Sequence, residues 1–312
     1  MSTFSRFHKV ALISLGALGG GFAYYHLNKG DNAGKFSVFN SWTTNFTPSV
    51  KWDSNWDCRE PECSVRPPKA NDIQDQNRYN EELEKARSTA TRHIFLIRHG
   101  QYNLKGKTDK ERCLTDLGKQ QAALTGKRLS ELGIKWDLLV RSTMTRAQET
   151  ACIIAQHLPR DLEVKDCQML EEGAPIPPEP PVGHWRPEAK QFFQDGARIE
   201  AAYRRYFYRA PPEQTEDSYT LLVCHANVIR FFICKALQFP PEGWLRIALH
   251  HGSVTWISIM PGGNVVLRTV SDVGFMKPEF ILALFRLGAR ARGPGVRLDY
   301  DPGFGRAGAT TT

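Results

Sequence analysis

Four short stretches of the chain carry side chains that could together perform phosphoryl chemistry. Arg98-His99-Gly100 ends the apolar run Ile94-Phe95-Leu96-Ile97. His225 ends a second apolar run, Tyr219-Thr220-Leu221-Leu222-Val223-Cys224. Arg146 stands at the start of a helical stretch that follows Asp137-Leu138-Leu139-Val140, and Glu171 and Glu172 precede Gly173 in a loop. A guanidinium fork matches phosphate oxygens. A helix amino terminus adds backbone donors and a favourable dipole for an anion. An imidazole nitrogen can attack such an anion, and one carboxyl can donate a proton to the leaving group. Singly, each has an ordinary explanation, a satisfied half-buried histidine or a surface arginine. Together they describe a phosphate pocket with a nucleophile. His99 must attack as neutral imidazole, so its second nitrogen is expected to donate to a backbone carbonyl.

These residues need a scaffold that brings them to one place. The runs ending at Arg98 and Cys224 are β-prone and apolar throughout, as strands buried on both faces of a parallel sheet are. Ligands in such sheets bind at the carboxyl ends of the strands, where His99 and His225 would share a crevice. Thr115 is the expected N-cap of a helix through Leu132, closed by Gly133. Further helices are predicted from Thr145 to about Leu158, from Glu188 to Tyr208, and from Asn227, as its cap, to Leu237. A short strand is predicted over 162–164, and Ser253–Ile259 with Val265–Val270 reads as a hairpin around Pro261-Gly262-Gly263. Strands alternating with helices predict an α/β, three-layer sandwich around a mainly parallel central sheet, spanning residues 91–280.

The flanks read differently. Residues 1–9 are a basic flank with Arg6 and Lys9, and 10–27 are nearly free of charge, with Tyr24 and Tyr25 at one end. We read 10–27 as a retained transmembrane helix; the rival is a cleaved secretory signal. Residues 28–90 have linker composition, ending in a charged helix over 72–87. Within them lies the doubled unit Trp52-Asp53-Ser54-Asn55-Trp56-Asp57. Two tryptophans are costly to leave in water, so they should dock, either on this chain's own domain or on a neighbouring subunit. Residues 281–312, rich in Gly, Ala and Arg, are expected to be a disordered tail.

Composition excludes several classes. The 312 residues carry a net charge of +8, but no segment forms a basic block and no zinc-finger or RNA-binding signature accompanies it. No nucleic-acid partner is expected. The seven cysteines are an odd count, and Cys152, Cys224 and Cys234 lie in apolar runs, which suits buried thiols rather than a disulfide framework. Cys58 and Cys63 lack the spacing of paired zinc ligands, so neither a metal nor a cofactor is expected.

Arg98-His99-Gly100, then Ser142 with Arg146, Ala147 and Thr150, then Leu170 with Glu172, then His225 at a strand end, resembles the histidine phosphatase (phosphoglycerate mutase-like) superfamily. The N-terminal span, the Trp-Asp unit, Glu172-Gly173-Ala174-Pro175 and Gly274-Phe275-Met276 are similar to its mitochondrial serine/threonine-protein phosphatase branch. The resemblance implies that His99 is the nucleophile and becomes phosphorylated, that Arg98, Arg146 and His225 bind the phosphoryl group, and that Glu172 is the acid and base. It implies phosphoprotein substrates and homo-oligomers assembled through Trp52, Asp53, Asn55, Trp56 and Asp57. It also implies single-pass residence in a mitochondrial membrane, the outer favoured over the inner. Two features depart from the pattern: Cys224 stands where many relatives have glycine, and Gln101-Tyr102-Asn103 replaces the loop start common in mutases. A phosphoglycerate mutase and a non-catalytic tethered scaffold are the competing readings.

Overall fold

β1 (Arg92–Arg98) is buried at all seven positions, which follows from its place inside a sheet covered on both faces. The computed structural model describes residues 50–69, 72–182 and 187–281. From Trp52 onward they belong to one compact unit. The sheet has six strands in the order β3-β2-β4-β1-β5-β6. Here β2 is Leu138–Ser142, β3 Glu163–Cys167, β4 Ser218–Cys224, β5 Val254–Ile259 and β6 Val265–Asp272. β1, β2, β3 and β4 run parallel, whereas β5 and β6 are antiparallel to their neighbours, so the sheet is mixed.

Side-chain alternation along the central strands builds two cores. Ile94 and Leu96 face one side with Leu222, Phe232 and Tyr203. Phe95 and Ile97 face the other with Leu221, Val223, Leu129 and Ile154. Helices cover both faces: α3 (Asp116–Glu131), α4 (Thr145–Ala155), α5 (Ala189–Tyr206) and α6 (Ala226–Ala236), preceded by α1 (Pro61–Ser64) and α2 (Ile73–Lys85) and followed by α7 (Pro278–Ile281). Thr115 caps α3 as expected, its hydroxyl oxygen accepting from the Gly118 N–H at 3.1 Å.

Several sequence expectations are corrected. α6 starts two residues earlier than expected, with His225 rather than Asn227 at the cap position; Asn227 lies inside it and donates instead to the Gly173 carbonyl at 3.1 Å. β3 is longer than the three residues expected and reaches Cys167. Cys152 is exposed rather than in the core, because the buried face of α4 carries Ala147, Ala151 and Ile154, and its sulfur accepts from Arg141 at 3.0 Å. Ile281 closes α7, and Phe280 accepts from the Gln121 amide at 2.8 Å; the rest of the expected tail, 282–312, lies outside the described residues. So do the basic flank 1–9 and the expected span 10–27; among the described residues no helix is long and apolar enough to cross a membrane.

The expected linker is, from Trp52 on, partly folded onto the domain. The Trp56 indole N–H donates to Gly263 O at 2.8 Å in the β5–β6 turn, and its ring lies against Tyr203. Asp57 makes a buried ion pair with Arg209 at 2.8 Å. Asp53 and Gln238 exchange two hydrogen bonds of 2.8 Å, and Asn55 accepts from the Glu60 N–H at 3.1 Å to close the turn between them. Trp52 is half-buried. Within this chain the Trp-Asp unit therefore lies against its own domain.

Candidate active site

The register of β1 against β4 sets Arg98 opposite Cys224, so the residues that follow, His99 and His225, emerge side by side. Their rings are 5.1 Å apart, and both are buried. The His99 N–H also donates to Cys224 O at 3.1 Å, which fixes the chain as it leaves the strand. Gly100 then permits a close approach: a Cβ there would fall onto the Gly118 carbonyl at the start of α3.

The protonation of His99 follows from its two contacts. Nδ1 lies 2.8 Å from Gly100 O, an acceptor only, so Nδ1 carries the proton. Nε2 then keeps its lone pair and accepts from Arg146 Nε at 3.2 Å. Burial first, then the positive charge of Arg146, holds the His99 pKa well below the usual imidazole range. The expected backbone anchor is therefore present, and it leaves Nε2 facing a guanidinium.

Arg146 comes from the first turn of α4, as its sequence position implied, and is 1% exposed. Its guanidinium lies over the Tyr102 ring at 4.7 Å, and Nη1 stands 3.7 Å from Asp109 Oδ1. Asp109 Oδ2 accepts from the Thr145 backbone and hydroxyl at 2.8 and 2.7 Å, tying the 103–112 loop to the α4 amino terminus. Thr150 accepts from the Gly100 N–H at 3.0 Å and donates to Arg146 O at 2.7 Å, which links the loop after His99 to the helix that carries Arg146. Arg98 is buried and donates to Leu249 O at 2.5 Å.

His225 Nε2 pairs with Ser142 Oγ at 2.8 Å, while its buried Nδ1 makes no hydrogen bond. Ser142 Oγ also accepts from the Met144 N–H at 3.4 Å; with the hydroxyl proton directed to His225 Nε2, Nδ1–H is left as a donor. Burial, then Arg146, holds this imidazole neutral. The neighbouring Cys224 thiol is pushed up by burial and is inert.

The two glutamates separate clearly. Glu171 is held by the Thr143 hydroxyl. Glu172 accepts from the Gly173 N–H at 3.2 Å, and its backbone packs on Met144, next to the α4 amino terminus. Arg198 of α5 clamps the loop, donating to Met169 O, Glu171 O and Glu172 O at 3.1, 2.6 and 3.1 Å. Asp195 accepts from Ala174 N at 2.9 Å on the same loop. Arg198, Asp195, Asp109 and His251 were not singled out by sequence. Asp109 and Arg198 sit among other charged residues with no local signal, and only the pairings seen here distinguish them. Among the described residues no group of three or more His, Cys, Asp or Glu could hold a metal ion.

Residues 94–272 match the family model of the histidine phosphatase superfamily (branch 1). The chain belongs to that superfamily. Over 267 residues it is 55% identical to "Serine/threonine-protein phosphatase Pgam5, mitochondrial" of Drosophila yakuba, covering 84% of this chain and 92% of that one. The protein of the same name from Drosophila pseudoobscura pseudoobscura is 58% identical over 262 residues, covering 83% and 90%. Among solved structures, a phosphoglycerate mutase from Plasmodium falciparum is 34% identical, with a TM-score of 0.43, covering 61% of this chain and 98% of that one. In this histidine phosphatase, the residues that the resemblance named lie at one end of the sheet, and the Trp-Asp unit lies apart from them, against the β5–β6 turn.

Proposed function

We propose that this histidine phosphatase is a serine/threonine-protein phosphatase of a mitochondrial membrane, acting without metal or cofactor through a phosphohistidine on His99. The observation that carries the reading is the state of His99: a neutral imidazole whose Nδ1 proton is spent on Gly100 O and whose Nε2 faces Arg146. His99 Nε2 attacks phosphorus and the ester P–O bond breaks. Arg98, Arg146 and His225 Nδ1–H hold the non-bridging oxygens, and Glu172 gives its proton to the leaving serine or threonine oxygen. Glu172, now carboxylate, takes a proton from water as that oxygen attacks phosphorus, the P–N bond breaks, and His99 returns neutral. Catalysis of this kind is mostly positioning and charge stabilisation.

The experiment that tests it is an assay of the full-length chain in detergent and EDTA, against a phosphoserine peptide and against 3-phosphoglycerate. Peptide turnover with an acid-labile, alkali-stable phosphoenzyme is expected. Mutase action, or loss of activity in EDTA, would sink the reading. Alkaline carbonate extraction tests the anchor at 10–27, which a released chain would rule out.

Glu172→Gln should slow turnover about a hundredfold, the usual scale for lost general acid catalysis. Glu171→Gln should be mild, since its carboxylate is already engaged by Thr143. The reverse order in steady-state rates would reassign the acid.

We also propose that Trp52, Asp53, Asn55, Trp56 and Asp57 support a homo-oligomer that raises activity, by making on a neighbouring subunit the contacts they make here on their own. Asp57→Ala leaves Arg209 buried without its partner, which should cost about 3 kcal/mol. It should lower the melting temperature, reduce the mass in sedimentation and make specific activity fall on dilution. A lower melting temperature with unchanged mass and flat specific activity would leave the unit a purely internal latch.

A further inference from the structure

One buried imidazole at the site has no part in the chemistry proposed for His99, His225 and Glu172. His251 lies just before β5 and is 8% exposed. β5 is antiparallel to β1, so its amino-terminal end meets the carboxyl end of β1, with Val254 opposite Ile97. The main chain at His251 is clamped there. Gly252, at φ 69°, donates to Arg98 O at 3.0 Å, and its carbonyl accepts from the Thr125 hydroxyl at 2.7 Å. Arg98 N–H donates back to Ser253 O at 3.2 Å.

That clamp holds the His251 ring 5.6 Å from the His99 ring and 6.4 Å from Tyr102. Its Nε2 is buried and makes no hydrogen bond, as is true of His225 Nδ1. The charged and titratable groups that face it are Arg98 from β1, His99 and Tyr102 from the loop that follows it, Arg146 from α4 and His250 from its own loop; those that act on its charge are all basic. From α3, Gln121 and Thr125 are neutral. A buried polar nitrogen without a partner is costly unless a ligand completes it. Here the surroundings suit a dianion.

We propose that His251 is a further phosphate-binding residue, its Nε2–H donating to a non-bridging oxygen of the phosphoryl group at His99. This deepens the phosphatase reading and rests on it. Burial, then the charge of Arg98, keeps His251 neutral. A bound dianion reverses the local potential, so His251 takes up a proton as the anion enters.

Sulfate is the probe, since it stays dianionic from pH 5 to 8 and needs no turnover. Titration calorimetry of the full-length chain in two buffers of different ionisation heat gives both affinity and protons taken up. His251→Ala should bind sulfate about tenfold more weakly, the scale of one charge-assisted hydrogen bond. His251→Gln keeps a neutral donor; it should recover part of the affinity while taking up fewer protons than the native chain. If His251→Ala does not fold, the proton count of His251→Gln alone decides. Affinity within twofold of native together with a native proton count overturns the proposal and leaves the ring as packing. A native chain that binds no sulfate in competition with phosphopeptide overturns the phosphate-pocket reading itself, and this proposal with it.

Discussion

His99→Ala is expected to lower turnover by about 10⁴-fold or more, with no phosphoenzyme trapped and the fold retained. The magnitude is that of removing a nucleophile whose partners act as a unit with it. The side chain is small and its ring makes one backbone and one guanidinium hydrogen bond, so the sheet and both cores do not depend on it. Quench-flow with labelled phosphopeptide measures both quantities. Activity above a few per cent, or a surviving phosphoenzyme, would move the nucleophile elsewhere. The native pH profile carries a second check. The folded pKa of His99 lies well below the usual imidazole value, so this imidazole stays neutral as pH falls through about 6.5. The acid limb of single-turnover phosphorylation should therefore lie below that pH. Stability follows the opposite bookkeeping: histidines in the unfolded chain gain protons near 6.5 while buried His99, His225 and His251 do not, so folding stability falls as pH drops below about 6.5.

Arg146→Ala should lower kcat/KM by about 10³-fold, in the range of an arginine that stabilises a phosphoryl transition state. Two effects combine. The guanidinium no longer meets the equatorial oxygens, and Nε no longer bonds His99 Nε2. The second effect has its own signature. Arg146 is, after burial, the next cause that depresses His99, so its removal lets the His99 pKa rise and shifts the acid limb to higher pH. Arg146→Lys keeps the charge but not the fork, so it should recover the pH profile more fully than the rate. The α4 amino terminus survives in both variants, because Asp109 still binds Thr145. A loss under tenfold, or an unmoved acid limb, would mean that Arg146 is an element of structure only.

The central strands, and the Arg98, His99 and His225 that end or follow them, are legible in the chain alone. A strand buried on both faces must be apolar at nearly every position, so Ile94–Ile97 and Leu221–Val223 announce themselves without any partner being known. Residues just past such strands lie at the ligand-binding edge of a parallel sheet, which is why Arg98, His99 and His225 could be placed together in advance. Arg146 was legible for a related reason, since a short strand and the helix after it set its position at a helix start. The polar partners were not legible. Arg198, Asp195 and Asp109 act through carbonyls and carboxylates far away in the chain, and no periodicity encodes such pairings. His251 needed the direction of one strand. The hairpin 253–270 was predicted, but only its antiparallel pairing with β1 brings the residue before Gly252 to the same edge as His99. The Trp-Asp unit marks the same boundary. Its aromatic content demanded burial, and the chain alone could not say against what; within the folded chain, tertiary packing sets an opposite charge on Arg209 and an open carbonyl at Gly263 within its reach.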